Sequence, residues 1–203
     1  MGSSLDLLPR TVFAIVMLCW IVFAAAFLLR KRPPSATEKN RESTATYGLA
    51  LEAVGYAIVW TFRRPAFTSI LPLPPTIDLV IGLITAGVAI TSAWLVLSAV
   101  RTLGKQWAVA ARLVEGHKLI TNGVYGIVRN PIYAGMFGMM IATGLAASYW
   151  WALLPAIVVF WVGTLMRVRS EEKLLREAFG KEFEEYARRV PALLPLGTQR
   201  SRD

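Results

Sequence analysis

Thr11 to Leu29 is an uninterrupted apolar run of 19 residues, closed by Arg30-Lys31-Arg32-Pro33-Pro34. At ~1.5 Å per residue, a helix of that length just crosses a hydrocarbon layer of ~30 Å. Four further runs follow: Tyr47–Phe62, Leu79–Val100, Ile132–Ala147 and Trp150–Met166. The spacing predicts about five transmembrane helices, the third the clearest and the second shorter than the first. A cleaved signal peptide is the rival reading of the first run. Its leading segment lacks the usual positive charge, and the run is long and followed by basic residues, which favours a retained span with the N-terminus outside.

Composition agrees with membrane helices. The chain is 55% hydrophobic, its mean hydropathy is +0.50, and the excess lies in blocks. One cysteine and one histidine speak against a disulfide framework and against thiolate or histidine metal sites. No glycine-rich nucleotide fingerprint is present. The net charge of +9 fits an anionic inner leaflet better than nucleic acid.

Charge also orients the chain. With the N-terminus outside, the inner segments hold 19 of the 22 Lys+Arg: five in 30–46, five in 101–131 and nine from 167 onward. Only Arg10, Arg63 and Arg64 fall outside, as the positive-inside rule requires.

Between the runs, Ser35–Thr46 reads as a charged connector and Arg63–Pro75 as a proline-rich loop. Arg101–Gly116 reads as a basic, semi-polar segment with Trp107 at the interface. Pro131 suits the first turn of the fourth helix. Ala134, Gly138, Ala142 and Ala146 form a small-residue stripe that lets another helix approach, within one chain or between two, so oligomeric state stays open. Arg167–Arg189 reads as an amphipathic helix with Leu174, Leu175, Ala178, Phe179, Phe183 and Tyr186 on one face, broken or bent at Gly180. Leu196 onward is a polar tail.

Two polar clusters return to the inner face. The first, His117 to Gly135, holds the lone histidine and leads through Arg129-Asn130-Pro131-Ile132-Tyr133 into the fourth helix. The second is Arg167 to Glu172. Arg167 and Glu171 are spaced i, i+4 and share a helical face. By spacing alone they are an ordinary ion pair. Beside a glycine-rich loop at a membrane edge, Arg167 suits an anionic group and Glu171 an ammonium or ribose hydroxyls. Glu172 points about 100° away and is the weaker candidate. Glu52, inside the second run, reads equally as a paired interfacial carboxylate or as a pocket-lining group.

His117-Lys118-Leu119-Ile120-Thr121-Asn122-Gly123-Val124-Tyr125 and Val128-Arg129-Asn130-Pro131-Ile132-Tyr133-Ala134-Gly135 together resemble the signature of the isoprenylcysteine carboxyl methyltransferase family. That family belongs to a wider group of membrane methyltransferases that includes phospholipid methyltransferases. Arg167 to Pro191 looks like its C-terminal block, and the similarity covers roughly Leu103 to Pro195. The resemblance implies S-adenosylmethionine as cofactor, in a fold without a Rossmann domain. It implies cofactor contacts at His117, Lys118, Leu119, Ile120, Tyr125, Asn130, Pro131, Ile132, Tyr133 and Glu171, with Arg167 binding or orienting the acceptor. Where the family usually has Arg-His-Pro, this chain has Arg129-Asn130-Pro131, which removes a titratable group.

The expectation is an all-α integral membrane protein of one domain, 1–203. Residues 1–100 carry the first three spans, 101–195 the cofactor-binding catalytic core at the cytoplasmic face, and 196–203 the tail. The expected reaction is methyl transfer from S-adenosylmethionine to a lipidic acceptor entering sideways between spans near Glu52, most simply a prenylcysteine carboxylate, already ionised at neutral pH. The membrane is a prokaryotic cytoplasmic membrane, or endoplasmic reticulum in a eukaryote. Rival expectations are a phospholipid or other small-lipid methyltransferase, an NADPH-dependent reductase of sterol-reductase type, and a non-catalytic membrane protein.

Overall fold

The computed structural model describes residues 4–28, 43–72, 74–104 and 119–193. The described residues are helical throughout, apart from their turns and loops: α1 (Ser4–Leu28), α2 (Ser43–Thr61), α3 (Pro75–Leu103), a 3-10 turn (Gly123–Gly126), α4 (Pro131–Ala147), α5 (Trp150–Phe179) and α6 (Lys181–Arg189). By length and composition α1, α3 and α5 are long and apolar enough to cross a membrane, while α4 is apolar but shorter. Helices satisfy their own backbone groups, which an apolar surround demands.

Two expected boundaries move. The charged connector ends sooner, because α2 already begins at Ser43. The expected amphipathic helix 167–189 is two helices: its first part is the uninterrupted continuation of the fifth apolar run in α5, and Gly180 separates it from α6. Nothing between Pro155 and Phe179 breaks α-geometry, so polarity rises without a turn. Gly180 has φ +50°, which glycine adopts without steric penalty.

Small residues set how closely the helices approach. A Cβ on Gly48 would lie 2.7 Å from the Gly163 carbonyl, and one on Gly163 would lie 2.6 Å from the Gly48 carbonyl. Helices α2 and α5 therefore touch backbone to backbone, with Val59, Ala156 and Phe160 buried along the same seam. On α4, the expected stripe packs inside the chain. Gly135 and Gly138 lie against Ser92 of α3, and Ala142 joins the core of α1 and α3. Gly135, which the four-residue repeat omits, makes the tighter backbone approach, 2.9 Å from the Ser92 carbonyl to a Cβ there.

Polar bonds stitch α4 to its neighbours within these apolar contacts. Trp20 Nε1 donates to Thr143 Oγ1 at 3.0 Å, and the Tyr56 hydroxyl donates to the Met136 carbonyl at 2.8 Å. At the far end, Arg64 caps the last carbonyls of α4, donating to Leu145 (2.7 Å), Ala146 (3.0 Å) and Ser148.

Candidate functional site

The site is assembled by α4, α5 and α6 with the loop before α4. Gly123 opens the 3-10 turn with φ +60°, so the turn expected at Thr121-Asn122-Gly123 is present. That turn buries Val124 and Tyr125 against Ala99 of α3. The chain then runs to Arg129 and Asn130, whose backbone amides donate to the carbonyls of Pro191 (2.8 Å) and Ala192 (3.0 Å). The segment after α6 thus pairs with the segment before α4.

Glu172 is the hub of this closure. Its carboxylate accepts from Arg129 Nε at 3.0 Å and Nη2 at 3.1 Å, and from Asn130 Nδ2 at 3.0 Å. Arg129 also donates to the Ala187 carbonyl at 2.7 Å and to that of Val190. A bidentate arginine–carboxylate pair with further carbonyl acceptors fixes the loop more firmly than an exposed pair would. Sequence reasoning ranked Glu172 below Glu171; its 100° offset is what turns it toward the loop.

Under this clamp lies a small cleft. Leu103, Leu119, Ile120, Leu175 and Phe183 supply apolar walls, and Tyr125, Arg129, Asn130, Glu172 and Tyr186 line it as well. Tyr125 is 7% exposed, yet its hydroxyl has no hydrogen-bond partner among the described residues, an uncommon state for a buried donor. Burial first, then the Glu171 carboxylate and Tyr186, pushes the Tyr125 phenol up, so it stays protonated. Burial likewise raises Tyr186, opposed by Arg129 and aided by Glu172. The Tyr186 hydroxyl donates to the Tyr125 carbonyl at 2.7 Å.

A second group lies deeper along α5. Tyr133 donates its hydroxyl to Glu171, and the Arg167 guanidinium stacks over the Tyr133 ring, 4.8 Å from its centroid. Arg167 Nη1 also donates to Glu52 Oε2 at 2.9 Å, and Thr164 Oγ1 donates to Glu52 Oε1 at 3.0 Å. Glu52 is therefore the paired carboxylate of the two readings, 1% exposed.

The sequence-predicted residues thus divide. Leu119, Ile120, Tyr125 and Asn130 line the cleft. Tyr133, Glu171 and Arg167 form the charged group beyond it. Pro131 is the first residue of α4, and Ile132 packs against the apolar clusters of α3. His117, Lys118 and Trp107 lie outside the described residues. Among the described residues no group of His, Cys, Asp and Glu could hold a metal. The cleft thus combines apolar walls, a buried hydroxyl without a hydrogen-bond partner among the described residues, and the Glu171 carboxylate within electrostatic reach of that hydroxyl.

A family model described as phospholipid methyltransferase matches residues 79–182, just over half of the 203 residues. Protein-S-isoprenylcysteine O-methyltransferase B of Arabidopsis thaliana is 34% identical over 101 residues, 49% of this chain and 51% of that one. Protein-S-isoprenylcysteine O-methyltransferase of Schizosaccharomyces pombe is 33% identical over 88 residues, 43% and 37% respectively. The chain therefore spans about half, or less, of the length of these relatives. The solved structure of a eukaryotic intramembrane Ras methyltransferase, isoprenylcysteine carboxyl methyltransferase, superposes with a TM-score of 0.53 at 23% identity. That match covers 78% of this chain and 54% of the other, a likeness of fold.

Proposed function

From the premise that this chain belongs to the phospholipid methyltransferase family, we propose that it transfers a methyl group from S-adenosylmethionine to a lipidic carboxylate, such as that of an isoprenylated cysteine. The observation that carries the reading is the cleft with the unpartnered Tyr125 hydroxyl, next to the Tyr133–Glu171–Arg167 group. The cofactor, when bound, supplies an electrophilic methyl on a sulfonium.

The chain's own groups do the rest by positioning and electrostatics. Leu119, Ile120 and Phe183 take the adenine, and Tyr125 and the Asn130 side-chain oxygen bond its polar edges. Glu171 faces the positive charge. The family resemblance adds His117, Lys118, Pro131 and Ile132 as further cofactor contacts. Asn130 moves no proton, because a carboxamide has no titratable group; its amide nitrogen is bonded to Glu172 and to the Ala192 carbonyl. A carboxylate acceptor needs none moved. Arg167 orients the acceptor from its stack on Tyr133.

In this reading α1 to α5 all span the bilayer, N-terminus outside and C-terminus cytoplasmic, so that soluble cofactor reaches the cleft from the cytoplasm. Residues 101–195 are the catalytic core of a single domain.

Calorimetric titration of the full chain in nanodiscs tests the reading. Saturable binding of S-adenosylmethionine, lost in Glu171→Ala, supports it when joined to radiolabel transfer to a farnesylated cysteine that Arg167→Ala impairs. Transfer to phosphatidylethanolamine instead would replace the acceptor. Binding of NADPH without S-adenosylmethionine would overturn the activity.

A further inference from the structure

Three helices converge on one arginine. From α5, Arg167 stacks on Tyr133 of α4 and pairs with Glu52 of α2, whose other oxygen is held by Thr164. Tyr133 in turn donates to Glu171, so one polar chain runs Glu52–Arg167–Tyr133–Glu171 from the α2–α5 seam and ends one residue before Glu172, which lines the cleft. The seam is shaped for this contact. A Cβ on Gly48, one turn before Glu52, would lie 2.6 Å from Arg167 Cγ and 2.7 Å from the Gly163 carbonyl. The missing side chains let α2 approach until the Glu52 carboxylate reaches the guanidinium.

Apolar residues would lock two helices with less desolvation than a carboxylate 1% exposed. The pair also ends on a group that faces the site. We propose that Glu52, from outside the catalytic half of the chain, is a positioning residue: it holds Arg167 in the rotamer that receives the acceptor's anionic group. The inference rests on the methyltransferase reading above. Glu52 touches neither substrate nor cofactor in it. Its carboxylate neutralises and aims the guanidinium, and neither residue lines the cofactor cleft.

The test compares the wild type with Glu52→Gln, Arg167→Lys and the double variant, as full chains in nanodiscs. Three quantities are measured: S-adenosylmethionine affinity, initial rates against a farnesylated cysteine, and thermal unfolding. Glu52→Gln is expected to keep cofactor affinity within about twofold while the acceptor kcat/KM falls about tenfold or more, mainly through KM. In the Arg167→Lys background the same change is expected to lower kcat/KM no further. An unchanged acceptor KM in folded Glu52→Gln overturns the proposal. So does an equal loss in both backgrounds, which marks Glu52 as merely structural.

Failure of the underlying reading looks different. A folded wild type that binds no S-adenosylmethionine, or methylates no lipid carboxylate, removes the reaction and with it the acceptor role. Thermal unfolding needs no activity and still reports the pair. Glu52→Gln is expected to lower the melting temperature, and Arg167→Met in that background to recover part of it. No recovery would mean that Glu52 does not act on Arg167.

Discussion

Tyr125 carries the sharpest prediction at the scale of single residues. A buried hydroxyl without a partner among the described residues gains no hydrogen bond from them to offset its desolvation. Tyr125→Phe should therefore leave thermal stability unchanged or slightly higher. If the hydroxyl serves the ligand, S-adenosylmethionine affinity should fall by about 1 kcal/mol, roughly fivefold, in the same calorimetric titration. A loss of stability with unchanged affinity would assign the tyrosine to the core. Glu172 behaves in the opposite way. Glu172→Ala leaves Arg129, whose side chain is 13% exposed, without its carboxylate. Two carbonyl acceptors remain, so the expected loss is on the order of 2 kcal/mol, below that for a fully buried pair. Because Asn130 is released as well, cofactor affinity should fall together with the melting temperature.

Helix-scale behaviour depends on the α2–α5 contact. In Gly163→Ala the new methyl meets the Gly48 carbonyl at 2.6 Å and the Glu52 amide at 3.0 Å, backbone atoms that cannot rotate away. The helices must separate, at an expected loss of about 1–3 kcal/mol in stability. Separation also lengthens the Glu52–Arg167 pair, so acceptor kcat/KM should drop while cofactor affinity holds. Gly87→Ala is the control: a Cβ there meets nothing within 4 Å. It lies in the interior of α3, where alanine is the better helix former, so its melting temperature should match or exceed the wild type's. At the other end of α5, Gly180 relieves the chain at φ +50° and lets α6 turn Phe183 and Tyr186 back into the cleft.

Orientation belongs to the whole molecule. Ser69 is exposed in the α2–α3 loop and Glu185 is exposed on α6. In a Cys19→Ser background, Ser69→Cys should react with an impermeant thiol reagent added outside intact cells, and Glu185→Cys only after the membrane is opened. The reverse pattern would invert the proposed topology and move the cleft away from cytoplasmic cofactor. The far side of the bundle is closed by Arg64, which ties the α2–α3 loop to the end of α4. Charge counting placed Arg63 and Arg64 outside as exceptions to a rule. In the fold, the burial of Arg64 lowers its pKa to about 10, while its guanidinium serves as a helix cap.

The helices that follow the apolar runs, the turn at Gly123, the break at Gly180 and the residues of the two polar clusters could all be read along the chain, although only α1, α3 and α5 are long and apolar enough to cross a membrane. Hydropathy, left-handed glycine geometry and i, i+4 spacing are local properties of a helical chain. Partner choice is not local. Arg167 has Glu171 four residues away, but its 2.9 Å partner is Glu52, 115 residues distant, because two glycines bring α2 within reach. Glu172 looked secondary along the sequence because its importance lies in facing Arg129 and Asn130 across a gap of more than forty residues. Likewise, the stripe on α4 announced a close approach without naming its partner. The structure puts α3 there, because Ser92 and Val96 face the small residues. Periodicity tells which face of a helix is apolar or small; only the packed bundle selects which other face fills it.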